Sequence, residues 1–328
     1  MKYSVARSVL EGQPIAMLED DSGRRVRIAC HGAALIGFEV ARDGRPFDIA
    51  AGYRDAAAII TRPGSRFGVM VPFAGRLADA RYRFDGADYD LQPGAAPGKR
   101  ESRHGFVRDT DFAVTELTAD ARSARVTLST STGRVPGYPF AIGLSVSFAL
   151  EAGGLALSVR MRNTSDEPAP CFFGWHPYFR VSDGRVDEWA LEIPAQTLIR
   201  TGADLIALSG DAAYVPLDDA KEVDFRRPRT IEGSILDHEY TDLVAGPDGR
   251  FRTRLTDPRS GFGITVWQER GVMHAFTGDT LKVDARRSIA LEPMECMANA
   301  FNRPEWSEAL RLDPGVERVF RCGVEPDA

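Results

Sequence analysis

Apolar and polar residues alternate with period two along much of this chain, the pattern of strands buried on one face. Ile142, Leu144, Val146 and Phe148 alternate with Gly143, Ser145 and Ser147; further on, Leu155, Leu157, Val159 and Met161 alternate with Ala156, Ser158, Arg160 and Arg162. The tetrapeptide Glu151–Gly154 between them is a turn signal of hairpin length. The pattern predicts an antiparallel hairpin over 142–162 with its apolar faces in register. The alternation recurs at 25–29, at 124–130 and at 262–268, where Phe262, Ile264 and Val266 share a face. Glycine and proline mark turns at 42–47, 61–65, 92–99 and 256–263. No long segment carries a 3.6-residue stripe; 55–61 and 307–312 read as short helical turns. Short strands without intervening helices predict an all-β fold, a large antiparallel β-sandwich with few short helices.

A chain of 328 residues can bury a sizeable core, and with no clear place to divide it 1–328 reads as a single domain. The net charge of -6 is modest and the basic residues are spread singly, which argues against nucleic-acid binding. No apolar run is long enough to span a bilayer and the N-terminal segment lacks a signal-peptide core, so a cytoplasmic protein with no membrane association is expected. Cys30, Cys171, Cys296 and Cys322 are far apart with no CxxC pair, and are expected to be free, mostly buried thiols rather than zinc ligands or disulfides.

Five histidines are present, and His104, His176 and His238 stand in unusual local sequence. Glu292 follows an apolar run and precedes a proline, which places it at the end of a buried strand where the chain leaves the sheet. Restricted access to water raises the pKa of such a carboxylate, as suits a base working near neutral pH.

Five segments in order carry a resemblance: VPFAGRLADARYRFDGADYDL (71–91), HGFVRD (104–109), WHPYF (175–179), LDHEYTDL (236–243) and LEPMECMANAFN (291–302). Together they resemble the motifs of the aldose 1-epimerase (galactose mutarotase) family. The resemblance implies a galactose mutarotase-like supersandwich that binds a monosaccharide and interconverts the α and β anomers of a hexose or related aldose. It maps the catalytic groups onto Glu292, His176 and His104, and sugar contacts onto Arg76 and Asp237. Glu292 rather than Glu295 matches the family's base, which immediately precedes its proline. In GVMHAFTGD (271–279) either Met273 or His274 stands where some members carry a sugar-binding glutamine, and His274 is taken as the pocket residue.

Anomer exchange needs a base at the anomeric hydroxyl and an acid at the ring oxygen, both present at once. On the resemblance Glu292 is the base and His176 the acid, facing each other across one open pocket at about the width of a sugar ring. Trp175 is expected to offer an aromatic face to the pyranose. No metal, nucleotide or other cofactor is called for, and a monomer or homodimer is expected. A phosphorylated- or acidic-sugar epimerase is the alternative enzyme, with Arg81, Arg83, Arg103 and Arg108 near the motifs; a non-catalytic carbohydrate-binding protein on the same fold is the alternative binder.

Overall fold

The computed structural model describes residues 1–96 and 100–327; residues 97–99, part of the turn expected at 92–99, lie outside them. The hairpin forms as Ile142–Glu151 and Gly154–Asn163, with Leu144 opposite Met161, Val146 opposite Val159 and Phe148 opposite Leu157, all buried. On its other face hydroxyls bridge to the preceding strand, Ser145 to Ser129 and Ser147 to Thr127, each at 2.9 Å. Cross-strand pairs of both kinds hold an antiparallel ladder together. The hairpin supplies the third and fourth strands of a nine-stranded sheet that runs from Ala113–Ala119 at one edge, through Glu317–Pro326 and Gly263–Gln268, to Arg229–Thr230 at the other. An N-terminal meander of five strands, Tyr3–Leu10 to Arg45–Asp48, is tied to the hairpin turn by Arg24, whose guanidinium donates to the carbonyls of Glu151 and Ala152.

The second large sheet has eight strands. Its middle is the succession Asp237–Thr241, Val272–Phe276, Ile289–Met294 and Gly174–His176, and Tyr178–Phe179 also pairs with Ile289–Met294. One continuous apolar core serves both large sheets; Phe173, next to the second, stacks at 5.3 Å on Phe320 of the first. The helical turns expected at 55–61 and 307–312 form as Ala56–Thr61, capped by the Asp55 carboxylate, and Ser307–Leu310.

One expectation is corrected. Glu292 lies inside its strand, not at its end, and Pro293 is a strand residue paired with Met273. Leu291 and Glu295 donate their amides to the carbonyls of Pro177 and Phe173, so residue 293 would send its N–H across the same seam. Pro293 withholds that hydrogen opposite Trp175, and Pro177, between Gly174–His176 and Tyr178–Phe179, withholds another from the same pair of strands.

The hairpin turn requires glycine at one of its two glycine positions. Gly154 has φ +148°, and an added Cβ would stand 2.2 Å from the Val324 carbonyl, whereas one on Gly153 would meet nothing within 4 Å. Gly154→Ala is therefore expected to lower stability by more than about 1 kcal/mol. Gly153→Ala should stay within about 0.5 kcal/mol of wild type, and urea unfolding of the two variants side by side measures the contrast.

Candidate active site

The register of the eight-stranded sheet lines up four ionisable side chains. Glu239 pairs with His274, and His274 with Glu292. The pairs Gly174–Met294 and Tyr178–Ala290 then place His176 opposite Glu292. Residues directly opposite in an antiparallel sheet share a face, so an acid, an imidazole, a second acid and a second imidazole stand in one row across four strands. The row lies in an open cleft of about 1340 Å³, which also takes in Arg76, His104 and Asp237.

The row is closely spaced. His176 Nε2 is 3.4 Å from Glu292 Oε1, and His274 Nε2 is 3.9 Å from the same oxygen. His274 Nδ1 is 3.8 Å from Glu239 Oε1, while its Nε2 reaches Asp237 Oδ1 at 3.0 Å. Glu239 is fixed from behind by the amide of Ala298. His104 comes from a loop, held in a left-handed conformation (φ +63°) with its amide bonded to the Gly75 carbonyl, and its ring lies 5.2 Å from that of His176. Gly105 permits this approach, because a Cβ there would collide with the backbone of Val71.

Burial and neighbouring charges set the protonation of these groups. Burial pushes Glu292 up to about 8; the His274 imidazolium pulls it down, and Asp237 and Glu239 push it further up. Burial opposes a charge on His274, yet Glu292, Asp237 and Glu239 together raise its pKa well above the histidine range. Burial lowers His176 to about 3, with His274 adding to the effect. His104 is lowered well below the usual range, by burial and then by His176. Burial also works to raise Asp237, but its bond to His274 prevails and the pKa is lowered. Near neutral pH His274 is thus the fixed cation, and one proton belongs to the Glu292–His176 pair.

Three details of the sequence reading change. The cleft does not separate His176 and Glu292 by the width of a sugar; they stand side by side, because adjacent strands bring opposite residues close on one face. Trp175 does not line the cleft. Period two turns it away from His176 into the core, where it is fully buried against Phe67 and Phe179. The aromatic on the cleft side is Tyr178, two residues on, its ring stacked on His176 at 5.1 Å. Of the arginines, Arg103 and Arg108 line the cleft, while Arg81 and Arg83 lie outside it, exposed and paired with Asp79, Asp90 and Asp88.

Arg76 stands at the cleft edge, 3.2 Å from Glu101. His274 lines the cleft, and Met273 is buried in the core, which settles which of the two shares the site. Glu295 is buried between Arg318 and Arg270 and accepts the Phe173 amide, so it is a structural acid away from the cleft. Sequence reasoning missed Glu239 and Arg66. Glu239 was legible in principle, two residues after Asp237 on the same face of one strand. The four cysteines are free and buried, and among the described residues no group of His, Cys, Asp or Glu is arranged to hold a metal ion.

The family model described as aldose 1-epimerase matches residues 14–324. The chain belongs to the aldose 1-epimerase family. It is an isomerase-class enzyme, an epimerase of carbohydrate metabolism. Aldose 1-epimerase of Escherichia coli K12 is 25% identical over 352 residues, covering 94% of each chain. The uncharacterized protein YihR of the same organism is 27% identical over 237 residues, 71% of each. Among solved structures, the GalM/aldose epimerase homologue from C. elegans superimposes with a TM-score of 0.83 at 16% identity, over 98% of this chain and 99% of that one. The fold of this family member is therefore the galactose mutarotase-like supersandwich. Among its described residues no helix is long and apolar enough to cross a membrane.

The protonation pattern has a measurable consequence. The folded state raises Glu292 from 4.5 to about 8, so it holds the proton more tightly than the unfolded chain. That contribution to stability is complete below the unfolded pKa and is lost as pH rises through the folded one. Glu292→Gln, which mimics the protonated acid, should gain in Tm relative to wild type as pH rises from about 5 to about 9. In His274→Gln the pKa of Glu292 should rise further, a shift that infrared titration of the carboxyl band would detect.

Proposed function

We propose that this enzyme interconverts the anomers of a free aldose, with Glu292 and His176 as the proton-exchanging pair and the sugar lying over both. The observation that carries this reading is their 3.4 Å spacing on the floor of an open cleft. The two oxygens to be served, the anomeric hydroxyl and the ring oxygen, are bonded to the same carbon. Two groups on neighbouring strands can reach them together without standing on opposite sides of the ring.

When Glu292 is ionised and His176 protonated, the carboxylate takes the anomeric proton while the imidazolium gives one to the ring oxygen. The C1–O5 bond breaks as the carbonyl forms. The pair is left with Glu292 protonated and His176 neutral, the arrangement that burial favours in the free site. Rotation about C1–C2 presents the other face of the carbonyl, and the same two transfers run backwards to close the ring. The pair carries one proton throughout. His274 supports the ionised form of Glu292 by holding a positive charge 3.9 Å away. Asp237, fixed by His274, accepts from sugar hydroxyls, and His104 and Arg76 donate to the ring oxygen or its neighbours.

A sugar-binding protein without catalysis has less support: the buried Glu292–His176 pair costs desolvation and serves no purpose in recognition alone.

NMR exchange spectroscopy on a panel of aldoses tests the assignment, and exchange no faster than the spontaneous rate for all of them would refute it. Glu292→Gln should reduce kcat by about 100-fold or more, the usual contribution of a positioned acid or base. Since the pair must hold one proton, kcat/KM should decline as pH rises through about 8, where Glu292 loses it. A rate that instead climbs through this range would mean that Glu292 acts alone.

A further inference from the structure

Beyond the reacting pair, the same cleft wall carries a second cluster that anomer exchange on a neutral sugar does not use. Arg66 is only 9% exposed, yet no carboxylate stands within ion-pair distance of it among the described residues. Its Nη1 donates to the Ala51 carbonyl at 2.9 Å and to Ser288 Oγ at 3.2 Å, while Nε and Nη2 have no protein acceptor there. Its pKa is lowered, by burial before any neighbour. Two further orphan donors share this end of the cleft. The Tyr53 hydroxyl is buried without a hydrogen-bond partner, and so is Nε of Arg108, which has the Asp109 carboxylate 3.8 Å away and whose Nη1 is committed to Ser65 Oγ.

The cluster is built in. Arg66 stands between two non-glycine residues in left-handed conformations, Ser65 (φ +53°) and Phe67 (φ +55°), and the Phe67 amide donates to the carbonyl of His176. Its guanidinium carbon lies 4.8 Å from the centre of the Tyr178 ring, which in turn stacks at 5.1 Å on His176. The Tyr178 ring thus lies between the orphan cation and His176.

We propose that Arg66, with Tyr53 and Arg108, forms an oxyanion subsite, and that the aldose handled here carries a carboxylate or phosphate at the end remote from C1. The anion accepts from Arg66 Nε and Nη2 and from Tyr53. This rests on the reading of Glu292 and His176 as the reaction centre, and binding measured apart from turnover separates the two.

Calorimetric titration of the wild-type protein and of Glu292→Gln with glucose, glucuronate and glucose 6-phosphate tests the subsite without requiring catalysis. At least one of the anionic sugars should bind about tenfold or more tighter than glucose, the low end for a hydrogen bond to a charged group. Which of the two prevails identifies the anion. In Arg66→Met the ratio of anionic to neutral affinity should fall to about one. Tyr53→Phe, which keeps the ring, should reduce the ratio in the same direction and serves if the Arg66 variant does not fold. Glucose binding as tightly as both anionic sugars, or a folded Arg66→Met retaining the full ratio, would overturn the subsite and leave the reaction assignment standing. Normal selectivity with no anomer exchange on any of the three would do the reverse.

Discussion

The antiparallel register around the strand Ile289–Met294 is the constraint on which the rest of the site depends. It places Glu292 level with His274 on one side and His176 on the other, and Glu239 one strand further. A one-residue slip of that strand would turn Glu292 into the core and bring Leu291 or Pro293 to the surface of the cleft. The apolar residues that alternate with the row, among them the buried Leu291, Ala275 and Tyr240, pay for the register by packing below the sheet. Core and chemistry are two faces of the same pairing.

The electrostatics follow from the row. Three carboxylates gathered in a buried space would repel one another, and the imidazolium of His274 stands among them as the compensating charge. His176 is buried and His104 half-buried, and desolvation before any neighbouring charge lowers the pKa of both, so they remain neutral. Burial holds the proton on Glu292 and leaves His176 neutral. The His274 imidazolium works against burial at Glu292, so that carboxyl stands between an acid kept neutral by desolvation and a carboxylate kept ionised by a neighbouring charge.

Most of this fold was legible because its strands obey a period of two over stretches of six to ten residues, as in 142–163. The candidate site was legible mainly through short motifs, since side chains that meet in space, such as His176 and Glu292, are far apart in the chain. Motifs identify residues but not distances. The expected separation across a sugar ring failed because sequence alone does not show that the two strands are neighbours. Trp175 was misplaced for a local reason: once His176 faces the cleft, alternation assigns its neighbour Trp175 to the core and Tyr178, two residues on, to the cleft. Pro293 was read as a strand terminator because a proline usually breaks a ladder; here the strand continues through it, with Met273 paired on its other side, which only the three-dimensional pairing reveals.

Those two prolines leave a seam in the sheet at the level of the reacting pair. Pro177 and Pro293 each withhold an amide hydrogen from the same strand-to-strand gap, which Leu291 and Glu295 bridge with theirs. The two residues that flank the Glu292–His176 level on this seam can accept backbone hydrogen bonds but cannot donate them, so the register at that level rests on the side chains packed below the sheet as much as on the ladder.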